Sequence, residues 1–236
     1  MKKLNKRITY ITNAVLAILF AAVFIVSFVP DPAVMVTGGT KTDVIYRGNT
    51  QNKNVSLMFN VYENTQTVNK IIDVLQEKKV TATFFVGGCW ADDNAETLNR
   101  MVANGNEIGN HGYFHKDHAK LSFENNKKEI ELCGTIVKAL CGENMNLFAP
   151  PSGSFSEDTL AAASDLGYKV IMWSKDTIDW RDKDQSTIFK RATKDLSNGD
   201  LILMHPKDHT LAVLPKIIDY CLSLGYNVVP VSQNVV

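Results

Sequence analysis

No excess charge of either sign marks this chain. Its 236 residues carry 25 Lys plus Arg against 25 Asp plus Glu, a formal net charge of zero, so no long-range field would draw it to nucleic acid or to an acidic polymer. Cysteine is sparse as well. Cys89, Cys133, Cys141 and Cys221 are scattered without a C-x-x-C pair, which argues against a zinc ribbon or a redox motif. They read as small buried hydrophobes, and pairing between any two of them is left open. What remains is ordinary for a folded domain: at 45% hydrophobic and 21% charged, the chain can bury the core of a single α/β domain.

The N-terminus departs from that composition. MKKLNKR carries four positive charges, and the stretch from Ile8 to Pro30 carries none, with an apolar run from Ala14 to Phe20 continuing through AAVFIVSFV. That is about the 20 residues a membrane helix needs, longer than a signal-peptide core, and no A-x-A cleavage site follows. A core helix would give the flanking basic cluster no role. The positive-inside rule puts residues 1–7 in the cytoplasm and the chain beyond about Pro30 outside. The expected organisation is a basic segment and anchor over 1–30, a linker rich in Gly, Thr, Asn and Pro over 31–53, and a domain over 54–236 on the extracytoplasmic side of the cell membrane.

From Val55 onward, short β-branched runs alternate with amphipathic helical stretches, which predicts βα units and a parallel sheet. Strands are expected at 55–59, 80–86, 107–110, 146–149, 169–173, 200–204 and 226–231, and helices near 67–78, 95–104, 122–140, 156–166, 186–196 and 211–224. The spacing of strand starts is that of a (β/α) barrel rather than a solenoid, with an open doubly wound sheet as the alternative. In either fold, chemistry belongs at the C-terminal ends of the strands. Those ends carry Asn60, Val61, Tyr62 and Glu63, then HGYFHKDH, APPSGSF, SKDTIDW, and finally His205 with Pro206.

His111 and His115 stand four apart, a separation at which two imidazoles can close on one metal, although surface or hydrogen-bonded histidines give the same pattern. Asp117 and His118 read as solvated loop residues. His205 is a candidate general acid if a carboxylate, Asp179 or Asp176, holds its other nitrogen. A satisfied structural histidine is the plainer alternative. Phe155, Trp173 and Trp180 add aromatic surface that suits a sugar ring but also packs cores.

Taken in order, five segments resemble those of the polysaccharide deacetylase family, carbohydrate esterase family four or NodB-homology domain, over nearly all of residues 54–232. TATFFVGG follows the second strand; EIGNHGYFH matches H-[ST]-x-x-H, APPSGSF matches R-P-P-[YF]-G, WSKDTIDW matches D-x-x-D-W, and LILMH matches L-x-x-H. The resemblance implies a distorted (β/α) barrel of seven or eight strands, preceded here by the transmembrane helix. It implies a divalent metal, zinc or cobalt, held by His111 and His115, with His205 as general acid and Asp179 its orienting partner. Pro150, Pro151, Trp180 and Leu203 would wall the acetyl and sugar groove, and the partner would be cell-wall polysaccharide such as peptidoglycan or a chitin-like glycan.

The first motif departs from the pattern. Where the family reads T-F-D-D-G, this chain reads M-F-N-V-Y, so Asn60 stands at the base position and Val61 at a metal-ligand position. Ala149 replaces the arginine that braces the base. Asn cannot take up a proton from water, and Val offers a metal nothing. Glu63 is the nearby acid that could substitute. The sequence therefore predicts either a slow or altered N-deacetylase, or a non-catalytic saccharide-binding or scaffolding protein on the same fold.

Overall fold

The computed structural model describes residues 44–236. The segment expected to anchor the chain lies outside the described residues. Among the described residues, no helix is long and apolar enough to cross a membrane.

The chain alternates strand and helix: β1 (Val44–Ile45), β2 (Asn54–Val61), α1 (Thr65–Lys78), β3 (Thr83–Val86), α2 (Gly88–Asp93), α3 (Ala95–Ala103), β4 (Glu107–Asn110), α4 (Phe123–Cys141), β5 (Leu147–Phe148), α5 (Glu157–Asp165), β6 (Lys169–Ile171), β7 (Lys175–Asp176), α6 (Gln185–Thr193), β8 (Leu201–Met204), α7 (Asp208–Ser223), β9 (Asn227–Val228) and α8 (Val231–Asn234). Several helices begin as the sequence signals: Ser156 and Thr159 form a reciprocal capping box on α5, and Asp184 caps α6 by accepting the Thr187 N–H at 2.8 Å.

Every strand pair is parallel, in the order β1-β6-β5-β4-β3-β2-β8-β7, with β9 beside the start of β2. The sheet curls, which agrees with the expected barrel at the level of a curled parallel α/β fold. Its hydrogen-bonded ladder ends at β1 on one side and β7 on the other. At this seam, the Gly48 N–H donates to the Gly199 carbonyl at 2.7 Å, and the exposed Arg47 pairs with the buried Asp200.

Three differences from the sequence reading have local causes. β1 lies inside the stretch read as linker, because Val44 and Ile45 register with Val170 and Ile171 of β6. The run 226–231 is not one strand: it pairs only over Asn227–Val228, and Pro230, which has no N–H to give a ladder, leads into α8. The helix α2 and the two-residue β7 are too short to leave a periodic signal.

Alternation along β2 sorts the core into two layers. Val55, Leu57, Phe59 and Val61 face outward and pack with Val68, Ile71, Ile72 and Leu75 of α1. Met58 belongs to a second cluster with Phe85, Leu147, Ala149, Ile171, Leu203 and Val231 inside the curl. Each large side chain fully buried this way contributes about 1.5–3 kcal/mol. One end of the interior is plugged by α8, where the Val231 N–H donates to Thr83 Oγ1 at 2.8 Å and Asn234 Nδ2 to Ser56 Oγ at 3.0 Å. The C-terminal rim is left as the place where the interior meets solvent. All four cysteines are free thiols.

Candidate active site

A cleft of about 320 Å³ opens at that rim, lined in part by Asn60, Tyr62, His111, His115, Trp173 and His205. Trp180, Leu203, Asp176 and Ser152 complete its walls. A larger groove of about 820 Å³ lies away from the rim between α6 and α7 and contains no histidine.

One side of the cleft is a complete hydrogen-bonded unit. His205 donates its Nδ1–H to Asp179 Oδ1 at 2.7 Å and its backbone N–H to Oδ2 at 2.7 Å, while the Thr210 hydroxyl donates to Oδ2 at 2.6 Å. His209 holds the Asp179 carbonyl through Nε2–H at 2.7 Å. Burial would push the Asp179 carboxyl up, but the bonds from His205 and Thr210 outweigh it and hold the group below its ordinary value. An ionised carboxylate on Nδ1 fixes the tautomer of His205 and leaves Nε2 as the ring nitrogen free for the cleft. Asp179, rather than Asp176, is thus the partner; Asp176 uses Oδ1 to accept the Ile178 N–H at 2.8 Å.

The two histidines after β4 also come together. His111 is buried and donates its Nδ1–H to the Ala149 carbonyl at 2.7 Å, so its Nε2 keeps a lone pair. Burial, then the neighbouring His115, pushes its imidazole well below its ordinary value. His115 adopts a left-handed φ of 54°. The loop that presents it is tied down by the buried Glu129, whose Oε2 accepts the N–H groups of Tyr113 and Phe114 at 3.1 and 2.8 Å. Gly112, at φ 73°, lets the chain turn over His118, where a Cβ would come within 2.8 Å of Nε2. His118 is not solvated as the sequence suggested: it is fully buried and shares 2.7 Å with Asn126 Oδ1.

The β2 end departs most. Asn60 is 2% exposed and lines the cleft, but its Oδ1 has no hydrogen-bond partner within the protein. Val61 faces the opposite way, fully buried in the layer between sheet and helices. Tyr62, in register with the family's glycine, turns into the cleft and lays its ring 4.1 Å from that of His115. Burial, then Glu63, raises its phenol above the ordinary value. Glu63 itself is ion-paired to Lys207 and does not line the cleft. Leu203 and Trp180 line the walls, Trp180 at 55% exposure, whereas Pro150 and Pro151 are buried behind Ser152. Tyr62 is the residue to which the sequence assigned no role; its place at a strand end, one step along from Val61, was the available signal.

The donors can be tested against the metal that the resemblance implies. Two imidazoles bound at about 2.0–2.1 Å to one tetrahedral ion would have ring centres roughly 5 Å apart. The rings of His111 and His115 stand at 5.1 Å. The third corner fails: Val61 is apolar and faces away, and among the described residues no third His, Cys, Asp or Glu joins the pair. The donor set does not fit the three-ligand site of a catalytic zinc.

A curled parallel sheet thus carries, at one rim, a histidine pair and a buried Asp–His dyad around a cleft walled by tryptophans. The chain belongs to the polysaccharide deacetylase family, whose model matches residues 47–171. It is 34% identical over 182 residues to the uncharacterized protein YlxY of Bacillus subtilis, covering 77% of this chain and 57% of that one. It is 35% identical over 170 residues to the peptidoglycan-N-acetylmuramic acid deacetylase PdaA of the same organism, covering 70% and 64%. The chain therefore spans less than two thirds of either relative. A crystal structure described as a CE4 family pseudoenzyme from Bacillus anthracis superposes with a TM-score of 0.80 at 30% identity, covering 83% of this chain and 69% of that one.

Proposed function

We propose that this protein is a cell-envelope pseudoenzyme that binds an N-acetylated cell-wall glycan in the rim cleft and has lost the family's deacetylation chemistry. The observation that carries this reading is Asn60. It faces the cleft at the position of the base, and an amide cannot take a proton from water. Loss of a general base costs about 10²- to 10⁴-fold in rate. The missing third metal donor removes a second contribution. PdaA's named substrate class supports a peptidoglycan-type glycan, and the pseudoenzyme of Bacillus anthracis supports loss of chemistry on a retained fold.

A second reading, a slow metal-dependent N-deacetylase, is favoured by the intact Asp179–His205 dyad and the correctly spaced histidine pair. Both are tested by incubating the full-length protein with chitooligosaccharides and peptidoglycan, with zinc or cobalt, and measuring acetate release beside calorimetric binding. The expected result is binding without acetate. Acetate release that His111→Ala abolishes would replace the first reading with the second, and absence of binding to any cell-wall fragment would sink the first.

Residues 1–30 are proposed as a single membrane anchor that leaves the domain on the extracytoplasmic face, on the strength of the basic cluster and apolar run. Protease added to intact protoplasts should remove the domain; full protection until lysis would refute that orientation.

A further inference from the structure

The ladder between β2 and β3 is intact to the last residue of β2. Val61 is in register with Val86, and the Gly87 N–H donates to the Val61 carbonyl at 2.9 Å. Alternation held to that point turns residue 61 into the helix-facing layer and brings residues 60 and 62 to the cleft. The side chain that reaches the histidine pair from the end of β2 is therefore Tyr62.

Tyr62 is seated on two sides. Its Cβ lies against the backbone of Gly87, where an added Cβ would stand 3.6 Å away. Its ring stands 4.1 Å from the ring of His115, tilted by 42°, and 6.4 Å from that of His111. A third metal donor at position 61 can reach the pair only if the strand end rotates, and that rotation carries the Tyr62 ring off His115. The opening thus loses one aromatic contact as well as the last rung of the ladder.

We propose that Tyr62 is a positioning residue that closes the histidine pair to a metal: its ring, set against His115, locks the strand end with residue 61 turned away. This rests on the reading of a lost deacetylase above and deepens it. An acid returned to position 61 would not rebuild the metal site at full strength while the ring stays in place.

The test is calorimetric zinc titration of the full-length protein carrying Val61→Asp, alone and combined with Tyr62→Phe, Tyr62→Ala or Tyr62→Gly. Removing the ring should tighten zinc binding by roughly three- to tenfold, the size of one aromatic contact. Tyr62→Phe, which keeps the ring, should stay within about twofold of Val61→Asp alone. Adding His111→Ala should erase the gain, which ties it to the histidine pair. The proposal is overturned if Tyr62→Ala and Tyr62→Gly leave the affinity unchanged, or if Tyr62→Phe gains as much as Tyr62→Ala. It is equally overturned if Tyr62→Gly alone gains, since backbone freedom would then be the cause. Hydrogen exchange on the wild-type background gives a second reading that does not depend on Val61→Asp folding. The Gly87 amide is released when the strand end lets go of β3, so Tyr62→Ala should speed its exchange by a similar factor and Tyr62→Phe should not; equal rates in all three forms overturn the lock. Acetate release by the zinc-loaded wild type would overturn the reading of a lost deacetylase itself, whereas failure of the ring variants overturns only the role of Tyr62.

Discussion

The two sides of the rim have separated in chemistry. At the β7–β8 side, His205 and Thr210 supply the Asp179 carboxylate with three donors inside the fold. At the β2 side, Asn60 has an oxygen without a partner and Val61 has left the cleft for the core. The difference follows from what each side does for stability. A buried carboxylate with three donors is part of the fold, and its loss strands several polar groups. A rim carboxylate that serves water and a metal has no such duty, and its replacement by amide and alkyl groups leaves the fold intact.

The largest expected effect comes from breaking the complete side. Asp179→Ala strands the His205 N–H groups and the Thr210 hydroxyl and should cost about 3–5 kcal/mol. At roughly 2–4 °C per kcal/mol for a domain of this size, scanning calorimetry should find a melting point lower by roughly 6–20 °C. A change below about 2 °C would erase the contrast between the two sides.

Val61→Asp approaches the contrast from the other side. An unpaired carboxylate in the layer between sheet and α1 should cost several kcal/mol. The strand end can escape that cost by turning the new carboxylate toward His111 and His115, so zinc should restore part of the lost melting temperature, by about 2.7 kcal/mol at 100-fold excess over Kd. Zinc rescue that persists in Val61→Asp, His111→Ala would show that the metal binds elsewhere.

The third expectation concerns pH. Burial depresses His111 and His118 in the folded protein, so the unfolded chain takes up protons first as pH falls. The sign follows: stability is full above the unfolded histidine value near 6.5 and declines below it, by up to about 1.4 kcal/mol per pH unit for each such histidine. Asp179 is also depressed, so its contribution is held above about pH 4 and lost only on further acidification. Urea titrations between pH 7 and 5 should have a steeper slope in the wild type than in His118→Gln, and equal slopes would refute the assignment.

The smallest effect is expected at Glu63. Its ion pair with Lys207 is partly exposed, and Glu63→Ala should change stability by about 0–1 kcal/mol. Any residual acetate release should survive the substitution; its loss would make Glu63 the missing base.

Much of this arrangement was legible in the sequence. Strand-end positions collected His111, His115, Asp179 and His205, because a parallel sheet sends the C-terminal ends of its strands to one rim. That Val61 turns away from the cleft was not read from the sequence, which placed it at a metal-ligand position. The short pieces were not legible. β1, β7 and α2 are two to six residues long, below the length at which hydrophobic periodicity has a signal. The burial of His118 also escaped notice, because its partner Asn126 lies on α4 and becomes a neighbour only through folding.

The sequence alone determined which chemical groups exist at the rim. It supplies two imidazoles, one Asp–His pair and an amide where an acid belongs, and no folding can make a general base of Asn60. The tertiary structure decided which of those groups meet. It sends Val61 into the helix-facing layer, lays Tyr62 against His115, couples Glu63 to Lys207, and leaves the Asn60 oxygen without a partner. The reason is one of range: composition fixes proton affinities and donor counts residue by residue, while burial and pairing depend on contacts between segments far apart in the chain.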